Sequence, residues 1–223
     1  MSSVHGAARR VNFQGIEGLR AGLPQALRRA EQALSALPEA ARLDAIRDTR
    51  PWHRAIFGPL LPPGLQPLAG TYRGTPGTPA EHVARAVFVA RRAPGLRNRD
   101  LCTPAADVAN AMAGLADRVA VIWAESESAA PPPDSAYEML AGFSHGFLSI
   151  HPFVDGNGHV FRLIAPVLAA RLGLRARPDW TLHPRPYDHV MSLCLQWYPH
   201  HPALLACYLR RWFDPSWPQA DRA

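Results

Sequence analysis

The sequence predicts a mainly α-helical domain with one small β-hairpin. Apolar residues, many of them alanine and leucine, recur at helical spacing along most of the 223 residues. The 23 prolines and 16 glycines are scattered without a period, so they mark breaks between helices and do not form a low-complexity tract. One β-prone region interrupts the helical pattern between residues 69 and 90. We therefore expect a helical bundle in which a short hairpin is the exception.

The first half of the chain is predicted to contain two helices and this hairpin. Residues 1–12 have the composition of a disordered start, and an alanine- and leucine-rich run then predicts a helix to Ala36. Residues 52–57 predict a short amphipathic helix before a proline-rich segment. Residues 69–74 place a β-prone tripeptide between glycines, and residues 86–90 have the composition of a strand. A hairpin is the simplest interpretation, and from these residues alone a surface hairpin without a role is equally compatible.

The second half is predicted to be helical almost throughout. Thr103 and Pro104 are typical of the N-cap and first residue of a helix, which would run to about Trp123. Three consecutive prolines then force a break, and the next helix carries His151 at its inner-facing end. A buried helix resumes near Gly158, and the remaining chain is helical and rich in aromatic residues.

Composition and charge narrow the functional classes. The length fits one domain or a domain with a small appendage. The net charge of +6 favours anionic ligands only in a general way, and the basic residues are dispersed, so specific nucleic-acid binding is not indicated. Three widely spaced cysteines suit neither a disulfide framework nor a zinc knuckle. Neither an export signal nor a membrane-spanning run is apparent, and we expect a cytoplasmic protein.

Residues 151–162 concentrate the chemistry of the chain in the sequence HPFVDGNGHVFR. Pro152 discourages further helix and biases His151 towards an extended backbone. Gly156 and Gly158 allow close approach to the backbone and leave amide groups free for an anion, which a helix N-terminus also attracts. The segment therefore predicts a helix, a tight phosphate-binding loop and a second helix.

Two charged side chains complete this prediction. Arg162 follows Gly158 by four positions, so it reaches back along the face that would hold the anion. Asp155 precedes the glycines and can hold a divalent cation that bridges phosphate oxygens. Together they favour a phosphate compound as the ligand.

A metal-dependent hydrolase is the alternative chemistry for this region. His145, His151, Asp155 and His159 are residue types that bind catalytic zinc or iron. However, His151 comes six positions after His145 and is followed by a proline, and a metal site would leave Asn157 without a use. The phosphate hypothesis uses the whole segment.

The same segment resembles the signature of the Fic family, H-P-F-x-D/E-G-N-G-R-x-x-R. Every fixed position matches except residue 159, where histidine stands in place of arginine. The resemblance implies a Fic-type helical bundle in which His151 is the base that deprotonates a target hydroxyl and Asp155 is the Mg²⁺ ligand. It also implies that the nucleotide phosphates are bound by Gly156, Asn157, Gly158, His159 and Arg162. Because histidine is shorter than arginine and mostly neutral at pH 7, we expect weaker triphosphate binding or a donor other than ATP.

The resemblance extends to the hairpin. Gly70, Thr71, Tyr72 and Arg73 are similar to the G-x-Y-R flap that aligns the target segment in Fic proteins by β-augmentation. Thr71, Tyr72 and Arg73 are therefore implied to position the target.

Many Fic proteins also carry an N-terminal inhibitory motif, S/T-x-x-x-E-G/N, whose glutamate pairs with the last arginine of the signature. Glu17 and Gly18 match its second half, whereas Phe13 stands where serine or threonine is expected. The resemblance thus implies an N-terminal segment, residues 1–40, with an inhibitory helix before a Fic core at residues 41–223. From the residues alone, the favoured interpretation is that Glu17 is a first-turn glutamate stabilised by the helix dipole, and the resemblance is what favours an inhibitory role.

The activity implied is protein adenylylation, in which AMP passes from ATP to a serine, threonine or tyrosine hydroxyl of a target protein with Mg²⁺ as cofactor. A catalytically weakened Fic scaffold with a regulatory binding role is the alternative, and the metal-dependent hydrolase is the less favoured one. A homodimer is compatible with the sequence. The target protein and any antitoxin-like partner are not defined by it.

Overall fold

The chain forms a helical domain whose elements follow the apolar periodicity of the sequence. The structure, a computed structural model, describes residues 13–83, 102–187 and 189–215. Its helices are α1 (Leu19–Ser35), α2 (Glu39–Arg47), α3 (Arg50–Phe57), α4 (Val108–Ser128), α5 (Pro133–Ile150), α6 (Asn157–Arg171), α7 (His189–Trp197) and α8 (Pro202–Leu209). Two short strands, β1 (Leu174–Ala176) and β2 (Phe213–Pro215), pair antiparallel with Arg175 opposite Asp214. The predicted mainly α fold with a small β element is confirmed.

Helix α5 is the centre of the fold because it packs against α4, α6 and α8. Its apolar side chains recur at helical spacing, and Phe143 and Phe147 meet Phe161 of α6 with ring centroids 6.5 Å apart in each pair. Each large apolar side chain buried in this way stabilises the fold by roughly 1.5–3 kcal/mol. The packing fixes the end of α5 relative to the start of α6, and residues 151–156 lie between those two points.

Helix α1 belongs to the same hydrophobic core. It packs on α3 and α6 through a buried stripe of leucines that includes Leu19, Leu23 and Leu27. The 3-10 turn Phe13–Gly15 precedes α1, and Phe13 is buried against the rings of His53 and Phe57. The Phe13 amide also donates to the side chain of Asp155, so the N-terminal segment reaches the loop between α5 and α6.

Helix α4 begins later than the sequence predicts. A 3-10 turn, Ala105–Asp107, follows Pro104, and the α-helix begins only at Val108. Thr103 does not cap α4, because the residue at the N-cap position is Asp107 and no side-chain hydrogen bond caps this helix. The Thr103 amide donates to Ser149 O, near the end of α5, at 3.1 Å.

The predicted hairpin is described only in part. Tyr72 forms an isolated antiparallel bridge with Phe153, which lies in the loop after α5. The strand expected at residues 86–90 and the expected disordered start at residues 1–12 lie outside the described residues. The antiparallel sheet that the structure describes joins β1 and β2.

None of the helices described combines the length and apolar character that crossing a membrane would require.

Candidate active site

His151 ends helix α5 in an unusual backbone conformation. Its φ and ψ are 50° and 62°, the left-handed region, and its amide donates to Phe147 O at 3.0 Å. The extended conformation predicted from the following proline is therefore wrong. A left-handed residue is a common way to end a helix, but for a residue with a side chain it costs on the order of 1–3 kcal/mol. Surrounding contacts must supply that energy.

Arg73 supplies the main contacts that hold this helix end. Its guanidinium donates from Nε to His151 O at 2.7 Å and from Nη2 to Ile150 O at 2.8 Å. It also reaches Thr103 O at 2.9 Å and Val83 O at 3.1 Å. Hydrogen bonds from a charged donor are the stronger ones, and here they hold carbonyls that a helix end leaves without partners. The residue is only 1% exposed, so its side chain faces the interior and not a target peptide.

Thr71 and Tyr72, the other residues of the predicted flap, are half-buried. The Thr71 hydroxyl donates to Pro67 O at 2.7 Å, and the Tyr72 ring packs on Phe153 with centroids 5.2 Å apart. The segment therefore lies beside the loop that follows His151. A target peptide would meet its backbone or these two side chains.

The loop between α5 and α6 is closed by the side chain of Asn157. Its Oδ1 accepts from the Phe153 amide at 2.8 Å, and its Nδ2 donates to Phe153 O at 2.9 Å. Gly156 has φ of 80°, and a Cβ there would clash with the ring of Phe57. The amides of Asn157 and Gly158 open α6, where no intrahelical carbonyl can accept them, so they are available to an anion.

Asp155 is held by backbone amides on both oxygens. Its Oδ1 accepts from the Gly156 amide at 2.7 Å, and its Oδ2 accepts from the Phe13 amide at 2.8 Å. Each carboxylate oxygen has a second lone pair and can still accept a cation. The N-terminal segment is thus bonded directly to the carboxylate that the sequence assigned to Mg²⁺.

His53 is a functional candidate that the sequence did not reveal. Its Nδ1 accepts from the Gly70 amide at 2.9 Å, so its Nε2 carries the proton and donates to Asp155 O, also at 2.9 Å. Its ring stacks on Phe153 at 4.0 Å. Burial lowers the pKa of His53 to about 3, which keeps it neutral at pH 7. A single histidine in an amphipathic helix gives no sequence signal that it bridges Gly70 and the loop at Asp155.

Arg162 is nearly enclosed, with 3% of its surface exposed. Its Nε donates to Leu182 O at 2.9 Å, and its Nη1 lies 3.3 Å from the Tyr187 hydroxyl. Burial lowers the pKa of Arg162, although arginine stays protonated in proteins. Glu17 is exposed, and no ion pair joins it to Arg162 within the described ranges. The inhibitory pair predicted for these two residues is not formed in this conformation.

His159 lies one turn before Arg162, between aromatic and histidine rings. Its ring meets Phe57 edge-on at 5.9 Å and lies 5.8 Å from His183. Burial, and then the nearby charge of Arg162, lower the pKa of His159 to about 3. The residue is therefore neutral at pH 7 and does not reproduce the charge of an arginine.

One cavity of about 570 Å³ brings most of the predicted residues together. The predicted residues that line it are His151, Asp155, Gly156, Asn157, Gly158, His159 and Arg162. Phe13 and Arg20 enter from the N-terminal side, and Arg185 and Tyr187 enter from the segment before α7. Glu17 and the flap residues Thr71, Tyr72 and Arg73 do not line it.

The four residues considered for a hydrolytic metal centre do not all lie at the cavity, because His145 is separate from His151, Asp155 and His159. His145 stacks on Tyr198 with ring centroids 4.4 Å apart and does not line the cavity. In the regions that the structure covers, no group of three or more histidine, cysteine, aspartate or glutamate side chains could hold a metal ion. This arrangement supports a ligand that brings its own oxygen atoms, such as a phosphate compound, over an all-protein metal site.

Sequence comparison decides the family. Residues 43–169 match the model of the Fic/DOC family. The chain belongs to the Fic/DOC family. The matched range contains the whole segment from His151 to Arg162, so the family membership inferred from that segment is confirmed.

Two solved structures resemble this Fic domain over almost its whole length. The N-terminal Fic domain of a VirB-translocated Bep effector protein from Bartonella quintana, with bound ADP, gives a TM-score of 0.64 at 17% identity. That match covers 94% of this chain and 92% of the other. A second structure of such a Bartonella quintana domain gives a TM-score of 0.62 at 16% identity. That match covers 94% of this chain and 90% of the other. At these identities the likeness establishes the Fic fold, and curated protein sequences give no significant match.

Proposed function

We propose that this Fic domain transfers AMP from ATP to a hydroxyl side chain of a target protein. The observation that carries the proposal is that a histidine, a carboxylate, the N-terminus of a helix and a buried arginine line the same cavity. A neutral imidazole accepts protons near pH 7, and helix amides with a guanidinium bind phosphate oxygens. The Bartonella quintana domain with ADP supports a nucleotide as the ligand.

The proposed reaction is an in-line displacement at the α-phosphorus. The target oxygen forms a bond to that phosphorus, the bond to the pyrophosphate oxygen breaks, and the hydroxyl proton passes to His151. The amides at the start of α6 and the guanidinium of Arg162 offset the charge on the phosphates. The hydrogen bond from Arg73 to His151 O holds the backbone of His151 in place for this proton transfer.

The residues of the cavity fit a Mg²⁺ ion held by Asp155. Magnesium is usually bound by one or two carboxylates together with substrate phosphates and water, and Asp155 is the carboxylate that lines this cavity among the residues described. When bound, the ion would neutralise charge on the phosphates. We expect the reaction in the cytoplasm, where ATP and Mg²⁺ are abundant.

Labelling with radioactive nucleotides tests the proposal. Wild-type protein is incubated with Mg²⁺ and each of four labelled nucleoside triphosphates, and protein-bound label is measured. His151→Ala should abolish the label, whereas His200→Ala, an exposed histidine outside the cavity, should retain it. Label that survives in His151→Ala would refute the mechanism. Nucleotide binding without any label would instead favour the regulatory scaffold.

We further propose that the N-terminal segment restrains the reaction. Phe13 bonds Asp155, and Arg20 and Leu23 of α1 line the cavity. If Glu17 moves onto Arg162 when nucleotide binds, it competes with phosphate for the guanidinium. Glu17→Gly and Glu17→Gln should then both increase self-labelling with ATP. Equal labelling of both variants and wild type would remove Glu17 from an inhibitory role.

A further inference from the structure

Tyr187 holds two arginine side chains at the edge of the cavity. The guanidinium carbon of Arg162 lies 5.7 Å from the centre of its ring, and that of Arg185 lies 5.6 Å from it. Arg162 also contacts the Tyr187 hydroxyl at 3.3 Å. All three residues line the cavity that contains His151 and Asp155. Both cations therefore lie within 6 Å of the centre of one ring that lines the cavity.

These two cations have no acidic partner among the residues that the structure describes. No ion pair there includes Arg162 or Arg185, and the carboxylate lining the cavity, Asp155, already accepts two backbone amides. Burial is the main cause that lowers the pKa of Arg162, and the like charge of Arg185 lowers it further. An anion bound between them would remove that repulsion.

The signature position that would supply a second cation is occupied by a neutral residue. His159 is shorter than arginine and is surrounded by Phe57 and His183. We propose that Arg185 takes over this charge, and that Arg162, Tyr187 and Arg185 together bind the phosphates beyond the α-phosphate. The site thus selects nucleoside di- and triphosphates. This inference rests on the proposed function for its donor, but it concerns binding and not transfer.

Calorimetric binding of ATP, ADP, AMP and adenosine tests the assignment. Arg185→Ala should weaken ATP and ADP about tenfold or more, the loss of one charge-assisted contact, and should leave AMP and adenosine unchanged. Arg185→Lys, which keeps the charge without the planar fork, should be intermediate. Arg175→Ala removes the same charge from an exposed residue outside the cavity and should have no effect.

Three results would overturn the assignment. The first is that wild-type protein binds none of the four compounds. Equal weakening of AMP and ADP by Arg185→Ala would show a role in stacking on the nucleoside. A loss in Arg175→Ala as large as that in Arg185→Ala would show only the effect of overall charge.

A double variant tests the exchange between positions 159 and 185. If Arg185 replaces the signature arginine, His159→Arg should strengthen ADP binding, and Arg185→Ala should cost much less in that background than alone. Equal losses in both backgrounds would contradict the exchange. Binding that depends on Arg185 without transfer of label would leave this inference standing and refute the proposed function. Transfer of label, together with ATP and ADP binding that Arg185→Ala does not weaken, would refute this inference and leave the proposed function standing.

Discussion

His53 should make the stability of the domain depend on pH below 6.5. In the folded state its pKa is about 3, whereas 6.5 is the ordinary value expected in the unfolded chain. Between these values the unfolded state binds one more proton than the folded state, so the free energy of unfolding falls as the pH is lowered. Above pH 6.5 both states hold a neutral ring, and the contribution is constant.

The size of the effect follows from the pKa difference. Each unit below pH 6.5 costs about 1.4 kcal/mol for one histidine, so the loss between pH 7 and pH 5 is about 2 kcal/mol. This loss is a large fraction of the stability of a typical domain. The geometry explains it, because protonation at Nδ1 would also break the bond from the Gly70 amide.

The test is urea unfolding of wild type and His53→Gln, each at pH 7.5 and pH 5.0, followed by circular dichroism. Glutamine has an amide donor and acceptor but does not titrate, so the variant should lose about 2 kcal/mol less than wild type between the two pH values. The contribution of His159 and of the carboxylates is common to both proteins and cancels. An equal loss in the two proteins would refute the reasoning.

Two further variants test the support of the loop. Arg73→Ala leaves four carbonyls without their charged donor and should lower the free energy of unfolding by about 3 kcal/mol or more, against less than about 0.5 kcal/mol for the exposed Arg28→Ala. Similar small losses in both would show that Arg73 is dispensable. Gly156→Ala adds a Cβ at positive φ against Phe57 and should cost about 1–3 kcal/mol, whereas Gly15→Ala meets open space. If Gly156→Ala and Gly15→Ala unfold at the same urea concentration, a Cβ at position 156 does not strain the loop.

The helical fold and the turn that leads into α6 were accessible from the sequence for local reasons. Helical spacing of apolar residues is visible in the chain itself, and the glycines of residues 151–162 predict a turn that leads into a helix. The support of the loop was not accessible, because Arg73 and His53 donate to the carbonyls of Ile150 and Asp155, which lie 77 and 102 positions further along the chain. The prediction of an extended backbone at His151 was wrong for the same reason. The local bias from Pro152 is weaker than the hydrogen bonds from Arg73, a residue far away in the sequence.

The bond from Phe13 to Asp155 has a consequence for the order in which the chain folds. It joins residues 142 positions apart, and the bond from His53 to the same aspartate joins residues 102 positions apart. Contacts of such long sequence separation close late, because the entropy of a large loop must be lost before they form. During synthesis, the N-terminal residues therefore wait without this partner until the signature has left the ribosome. The loop between α5 and α6 therefore gains these two hydrogen bonds only after the chain has been synthesised beyond Asp155.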